Sequence, residues 1–228
     1  GDVPLRRRAV RLLWRAGEFD EALGALDRTE FVRAALSCAL SPDAETAALA
    51  SAFLEDLMYV GGRRAPPSFA PSHAALDGGL ALLRRAVEVS SLGAAAAPPP
   101  TSTDLSLDSA ARCVRSLCRS RANRLYLMQS GVANAENADN VLNVLRRALA
   151  VALAAAVARA ARLCLDALTN LARDKPTLRL MRDPDVMASV MFLVDAVLSK
   201  REAGMVSPWD AAADEASFLK RKLDRLAW

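Results

Sequence analysis

Leu82-Leu83-Arg84-Arg85-Ala86-Val87 and Val144-Leu145-Arg146-Arg147-Ala148-Leu149 are near copies of one another, about 60 residues apart. Each stretch sets a pair of arginines inside an apolar run that has helical spacing. Similarity that returns after a few tens of residues indicates stacked repeats, because a single unit cannot bury its apolar face without neighbours. No long stretch alternates strictly between apolar and polar side chains, as a half-buried strand would. The sequence therefore predicts an all-α protein built as an α-solenoid.

The composition of the chain is typical of a folded helical protein. It has 228 residues, of which 53% are apolar and only 5% aromatic, so it can bury a core through closely packed small side chains. Its 30 basic and 26 acidic residues give a formal net charge of +4. This mildly basic balance does not by itself indicate a nucleic-acid-binding protein. The chain begins at Gly1, which we expect of a processed form or a fragment of a longer repeat array.

The cysteine and histidine pattern predicts neither a disulfide nor a metal site. The cysteines lie inside apolar helical patterns without a Cys-x-x-Cys pair, and the single histidine, His73, lies in a stretch rich in proline and serine. We expect buried free thiols in a reducing, intracellular compartment. The cytoplasm is favoured, including the cytoskeleton or a cilium, and the nucleus or an organelle stays open. The cysteines are Cys38, Cys113, Cys118 and Cys164.

Neither a membrane span nor a catalytic site is predicted. The apolar run 148–158 is too short to cross a bilayer, which takes about 20 residues. One histidine, no glycine-rich phosphate loop, no metal-ligand cluster and no serine elbow leave no nucleophile and base to pair. We therefore expect no enzyme activity, no cofactor and no small-molecule substrate.

Apolar spacing predicts the helices of the first 90 residues. The first helix ends at Gly17 and has Ala9, Leu12, Leu13 and Ala16 on its apolar face. A second follows over 30–40. A third begins at Ser41-Pro42, with the serine as N-cap and the proline in the first turn, and runs to residue 60. The stretch 63–79, which contains the histidine, is expected to be a loop before a helix over 80–90.

The remaining helices are separated by proline, glycine and polar residues. A low-complexity insertion over 93–103 precedes a helix and a short helical segment over 125–128. Residues 140–174 are helical in pattern without proline or glycine, and we expect this long stretch to split near 152–158, because so long a helix is unusual in a globular domain. An apolar helix over 186–200 and a last amphipathic helix over 210–228 complete the chain.

Two segments resemble armadillo repeats. Ala167-Leu168-Thr169-Asn170-Leu171-Ala172-Arg173-Asp174-Lys175 is followed by Leu178-Arg179-Leu180-Met181 and by a helix near Val186. Val114-Arg115-Ser116-Leu117-Cys118-Arg119 is followed by Leu125-Tyr126-Leu127-Met128 in the same way. The resemblance implies a right-handed α-solenoid of about four degenerate repeats with a C-terminal capping helix. HEAT repeats and a tetratricopeptide-like arrangement remain alternatives, and each of them is also an α-solenoid.

The resemblance also implies a domain organisation. A repeat domain would cover 1–204, and an amphipathic capping helix would follow over 205–228, with Leu219, Leu223 and Leu226 on its apolar side. The repeat-like units would span roughly 5–40, 41–90, 105–150 and 157–203.

Binding along a groove is the function that the resemblance implies. In the family, third helices line a concave face that holds a peptide or a partner helix. In this chain the third helices would begin near Phe31, Leu80, Val141 and Val186. The candidate partner-binding residues on these helices are Arg33, Arg84, Arg85, Asn143, Arg146 and Arg147. Because the arginine fork pairs well with carboxylates, an acidic peptide or helix is the expected ligand.

Other interpretations stay open. One arginine of each pair could point to solvent while the other bonds acids of the next repeat. Trp14, Trp209 and Trp228 lie on none of the predicted third helices, so the peptide-binding role of importin-type members does not carry over, and the first two are expected in the core or a cap. The main prediction is a non-catalytic scaffold or adaptor in a eukaryotic assembly. The alternative is an RNA-binding helical repeat that uses the same arginines on phosphates.

Overall fold

The computed structural model describes residues 3–17, 22, 26, 29–60, 70–93, 106–129, 140–201 and 207–225. Among these residues every element of regular structure is an α-helix and none is a strand, which confirms the all-α prediction. The helices are α1 Val3–Ala16, α2 Thr29–Ala39, α3 Ala44–Val60, α4 His73–Gly93, α5 Leu107–Leu117, α6 Arg121–Gln129, α7 Val141–Ala154, α8 Ala158–Leu171, α9 Lys175–Met181, α10 Pro184–Ser199 and α11 Asp210–Asp224.

The chain divides into two units, Gly1–Leu82 and Leu83–Trp228. In the first unit, α1, α2 and α3 pack against one another. The core of this unit is α3, whose residues 46–57 are all buried. Trp14 of α1 is fully buried, as expected, and its Nε1 donates a hydrogen bond to the buried Asp56 carboxylate of α3 at 3.2 Å. A buried indole N–H with an acceptor fixes how α1 lies on α3.

The apolar face predicted for α1 is wrong. Val10 and Trp14 are buried, whereas Ala9 is exposed and Leu12 is 67% exposed. The cause is a set of ion pairs: Arg7 contacts both Asp43 and Glu45, and Arg11 contacts Glu45, at 2.7–2.8 Å. These ion pairs hold Arg7 and Arg11 against the start of α3, so the side of α1 that faces α3 includes both half-buried arginines. The buried residues of α1 are Val10 and Trp14.

Two predicted helix starts are also corrected. The cap of α3 is Asp43 and not Ser41: the Asp43 carboxylate accepts hydrogen bonds from the backbone N–H and the hydroxyl of Thr46. The helix predicted to start at residue 80 begins at His73, because the Ser72 hydroxyl accepts from the Ala75 N–H at 3.2 Å. The predicted loop 63–79 is therefore helical from 73 onward, and its residues 63–69 lie outside the described ones.

A close backbone approach explains a glycine inside α4. A Cβ built on Gly78 would lie 2.4 Å from the carbonyl oxygen of Ala44, in the first turn of α3. No real side chain tolerates that distance, so this position requires glycine. Glycine inside the helix is about 1 kcal/mol less favourable than alanine, but alanine would clash with the α3 backbone here.

The second unit contains two rows of helices. In the first row α8 packs between α5 and α11, and in the second row α7 packs against α10. The rows contact each other through α7 with α8 and through α10 with α11. The short helices α6 and α9 contact each other and also touch α7 and α10, respectively. The buried residues of α8 are mostly apolar or small, with Cys164, Leu165 and Leu168 fully buried.

The predicted division of the long helical stretch 140–174 is confirmed. α7 ends at Ala154 and α8 begins at Ala158, and between them Ala156 has a φ of 54°. The short helix predicted around 125–128 is confirmed as α6. Met128 in α6 and Met181 in α9, which the sequence comparison aligned, are 3% and 1% exposed.

The predicted last helix ends earlier than expected, at Asp224. This helix, α11, packs on α8 and α10, and its Leu219 and Leu223 are buried. Trp209, just before the helix, is 8% exposed, as expected of a core residue. Leu226 and Trp228 lie outside the described residues, as does the insertion 93–103 beyond Gly93. In the described part of the chain, no helix combines the length and the apolar character needed to cross a membrane.

Candidate partner-binding surface

The structure places the six predicted binding residues on three helices. Arg33 is exposed on α2 in the first unit. The other five belong to the second unit, on α4 and α7. In each arginine pair the first member is half-buried and the second is exposed: Arg84 and Arg146 are half-buried, and Arg85 and Arg147 are exposed.

The contacts of Arg146 join the two helices of the second row. Its Nε donates to the Ser189 hydroxyl of α10 at 3.1 Å, and its Nη1 donates to the Asn143 side-chain oxygen of α7 at 3.2 Å. A guanidinium held by two acceptors loses part of its freedom to meet a ligand. On α7, Arg147 is the more exposed of the two arginines.

A charged stripe, which sequence reasoning missed, crosses the first row. Arg115 of α5 donates to the Asp166 carboxylate of α8 at 2.5 Å, and these side chains are 24% and 26% exposed. Asn170, one turn further along α8, donates to the other oxygen of Asp166 at 3.2 Å. A second pair between the same helices joins Arg159 and Asp108 at 3.2 Å. The face that α5 and α8 share is thus lined by ion pairs that solvent can still reach.

The stripe continues onto α11. Burial raises the pKa of Glu215 above its usual value, and the nearby Asp166 carboxylate raises it further, while Arg162, Arg115 and Arg173 oppose the increase. Side chains from all three helices of the first row therefore act on one another electrostatically. The name charged stripe is used below for Arg115, Arg162, Asp166, Arg173 and Glu215.

One end of the stripe meets a buried ion pair. Arg124 of α6 donates to the Asp174 carboxylate at 2.5 Å, and the two side chains are 7% and 8% exposed. Arg124 also donates through Nη1 to the backbone oxygens of Cys118 and Arg119, at 3.0 and 2.7 Å. These oxygens lie at the C-terminal end of α5, where helix carbonyls lack intrahelical donors. Arg124 thus ties the α5–α6 turn to the α8–α9 turn.

Further cations surround this pair. Arg121, which is 74% exposed, has its Nε 3.5 Å from the second oxygen of Asp174. Burial lowers the pKa of Lys222 on α11, and the positive charges of Arg173 and Arg124 lower it further, with Asp174 opposing them. The name basic cluster is used below for Arg121, Arg124, Arg173 and Lys222 around Asp174.

An exposed aromatic side chain lies between the stripe and the cluster. Phe218 is 49% exposed on α11, one turn after Glu215 and one turn before Lys222. Residues three and four apart share one face of a helix, so the three side chains form a continuous line. Exposed aromatic groups beside polar ones are typical of protein-binding surfaces.

The thiols and potential ligands offer no comparable cluster. Cys118 and Cys164 are buried free thiols, and burial is the main cause that raises the pKa of each to about 12. Over the described ranges, no three histidine, cysteine or acidic side chains are grouped so that they could hold a metal ion.

The sequence did contain a signal for the stripe. Arg162, Asp166 and Asn170 follow one another at intervals of four along α8, which places them on one helix face. These polar positions lie outside the repeated Leu-Arg-Arg pattern.

In comparisons with family models, curated proteins and solved structures, nothing matches the chain.

Proposed function

We propose that this chain is a non-catalytic protein–protein interaction scaffold, a subunit or adaptor of a larger eukaryotic assembly. The observation that carries the proposal is the charged stripe, which runs over three packed helices and adjoins the exposed Phe218. An intracellular, reducing location is part of the proposal, and the buried free thiols support it.

The order and packing of the helices support an armadillo-like solenoid. In the second unit a long helix, a short helix and a second long helix occur twice, as α5–α6–α7 and as α8–α9–α10. α11 packs on α8 as α8 packs on α5, and α10 packs on α7. Each group therefore buries a face of the next, which is the way in which repeats stabilise one another.

The energetics of the stripe favour a binding role. Solvent still reaches the Arg115–Asp166 pair, whose side chains are 24% and 26% exposed, so these charges are accessible to a partner. Once a partner covers this surface and excludes water, these charges discriminate between partners, because a partner with mismatched charges binds at a large cost. A protein partner carries both signs of charge and apolar side chains, as this surface does.

The test is capture from nuclease-treated extract of the source cells with the tagged full-length chain. The test variant combines Arg162→Glu with Phe218→Ala, both exposed on the first row. The matched control combines Arg182→Glu with Phe192→Ala, also exposed but outside that row. We expect to capture a protein partner whose recovery falls at least about tenfold with the test variant and is unchanged with the control. Equal capture by both variants would remove the stripe from the proposal.

A further variant tests the arginines that the sequence singled out. It carries Arg84→Glu, Arg85→Glu, Arg146→Glu and Arg147→Glu together. Loss of the partner in this variant, with the fold intact by circular dichroism, would place the site on α4 and α7. Retention would mean that these arginines act within the fold.

RNA binding is the second candidate function, and the basic cluster is the feature that favours it. Cations without a matching number of acids can follow a phosphate backbone. Asp166 and Glu215, however, would repel phosphates along the stripe. Recovery that disappears on nuclease treatment, and that falls steeply as salt rises, would favour RNA over the scaffold.

A further inference from the structure

We infer that the basic cluster docks an acidic segment of a partner protein, with Phe218 contacting an apolar side chain of the same segment. The inference rests on the proposed function: it names the chemistry of the partner and the part of the surface that recognises it.

The charge balance of the cluster is the first argument. Four cationic side chains lie around the single carboxylate of Asp174, which is 8% exposed and is contacted by Arg124 and Arg121. Arg124 is buried, whereas Arg121 and Arg173 are exposed and Lys222 is half-buried. Three cations are thus reachable from solvent, while the negative charge beside them is not. A carboxylate that arrives from outside is attracted by these three cations, with Glu215 of the charged stripe, which lies near Arg173, as the opposing charge.

Helix ends alone do not explain this arrangement. Cations near a helix C-terminus are stabilised by the backbone dipoles, and Arg124 serves that role directly through two carbonyl oxygens. A favourable helix end would raise the pKa of a lysine. The pKa of Lys222 is instead lowered, first by burial and then by Arg173 and Arg124. Its surroundings therefore disfavour its positive charge, and a bound anion would relieve that cost.

The neighbouring residues favour a peptide over a nucleic acid. One turn of α11 separates Lys222 from Phe218, and another separates Phe218 from Glu215. A ligand that follows this line meets a cation, then an apolar ring, then a carboxylate that lies near Asp166. A peptide can change from acidic to apolar to basic within a few residues. A phosphate backbone carries one sign throughout.

The experiment measures fluorescence anisotropy of a labelled peptide with the full-length chain. The probe is a run of glutamates next to a leucine, and the reference probe has glutamine in place of each glutamate. We expect the glutamate probe alone to bind, and more weakly as salt rises. Arg173→Glu should weaken binding about tenfold, because attraction is replaced by repulsion. Arg182→Glu, at an arginine that is also exposed and lies just after α9, should change the binding less than about twofold.

The apolar contact has its own matched pair. Phe218→Ala should weaken binding of the leucine-containing probe about fivefold and leave binding of a probe without leucine unchanged. Phe192→Ala, on the exposed side of α10, should affect neither probe. Both phenylalanines are solvent-exposed, so these variants are expected to fold, which circular dichroism checks.

Three results would overturn the inference. They are no binding of the glutamate probe, equal effects of Arg173→Glu and Arg182→Glu, and oligo-uridylate of equal charge binding as tightly as the peptide. The last result would point to nucleic acid. The scaffold proposal is judged separately by capture: a partner that needs Arg162 and Phe218 while the peptide fails to bind would preserve the scaffold and reject the acidic ligand.

Discussion

Replacing Asp174 by asparagine is expected to lower the free energy of unfolding of the second unit by about 3 kcal/mol. The change removes the carboxylate that Arg124 contacts at 2.5 Å, where the two side chains are 7% and 8% exposed. Breaking such a buried pair costs about 3–5 kcal/mol, because the guanidinium stays buried without its counter-charge. The amide oxygen of asparagine can still accept one hydrogen bond, which favours the lower end of that range.

An exposed pair in the same unit supplies the matched control. Arg201 contacts Asp214 at 2.9 Å, but these side chains are 50% and 68% exposed. Asp214→Asn should therefore change the free energy of unfolding by less than about 1 kcal/mol. Urea unfolding followed by far-ultraviolet circular dichroism gives both values under the same conditions.

A double-mutant cycle separates the ion pair from other effects of the substitution. Arg124→Met and Asp174→Asn, made singly and together, should show a coupling of about 2 kcal/mol. If the two effects simply add, or if Asp174→Asn costs no more than Asp214→Asn, the pair does not hold the two turns together. The reasoning from burial would then be wrong for this site.

The backbone, the thiols and the pH dependence offer further tests. Ala156 has a φ of 54°, which costs alanine about 1 kcal/mol, so Ala156→Gly should raise the urea midpoint. Gly78→Ala should lower the midpoint and destabilise the first unit by more than about 2 kcal/mol, because the new Cβ would lie 2.4 Å from a backbone oxygen of α3. Cys118 and Cys164, with pKa values raised to about 12 chiefly by burial, should react with a thiol reagent at pH 8 only in urea. Burial raises the pKa of Asp43, but its hydrogen bonds outweigh burial and leave that pKa lowered. The free energy that the Asp43 carboxylate contributes to folding should therefore be present above about pH 4 and be lost as the pH falls through the lowered pKa. Asp43→Asn should remove this part of the pH dependence of unfolding.

Helix positions could be predicted where local physics decides them. The division of 140–174 follows from the length limit on a helix, and the structure has it at Ala155–Val157. The helix predicted over 186–200 begins two residues earlier, at Pro184, because the Asp183 carboxylate caps it by accepting from two N–H groups of the first turn. These signals involve residues that are close in the chain, so they can be recognised from the sequence alone.

The face of α1 and the glycine inside α4 depend on residues that are distant in the chain. Arg7 finds its partner Asp43 36 residues later, and spacing within α1 does not reveal that partner. Through this ion pair a charged side chain lies on the half-buried side of α1. Gly78, which the sequence marks as a helix breaker, is tolerated inside α4 because the backbone of α3 approaches it there.

The candidate site shows the same dependence on tertiary register. Arg115 and Asp166 are 51 residues apart, and only the packing of α5 on α8 brings them together. The repeated Leu-Arg-Arg pattern, by contrast, is visible at once in the sequence. Arg146, in the second copy of the pattern, donates to Ser189 of α10, which packs on α7, so this arginine holds two helices together. Recognition of a partner needs side chains that a ligand can reach. The exposed Phe218 and Arg173 and the half-buried Lys222 meet that condition, which is why we assign the proposed acidic ligand to them.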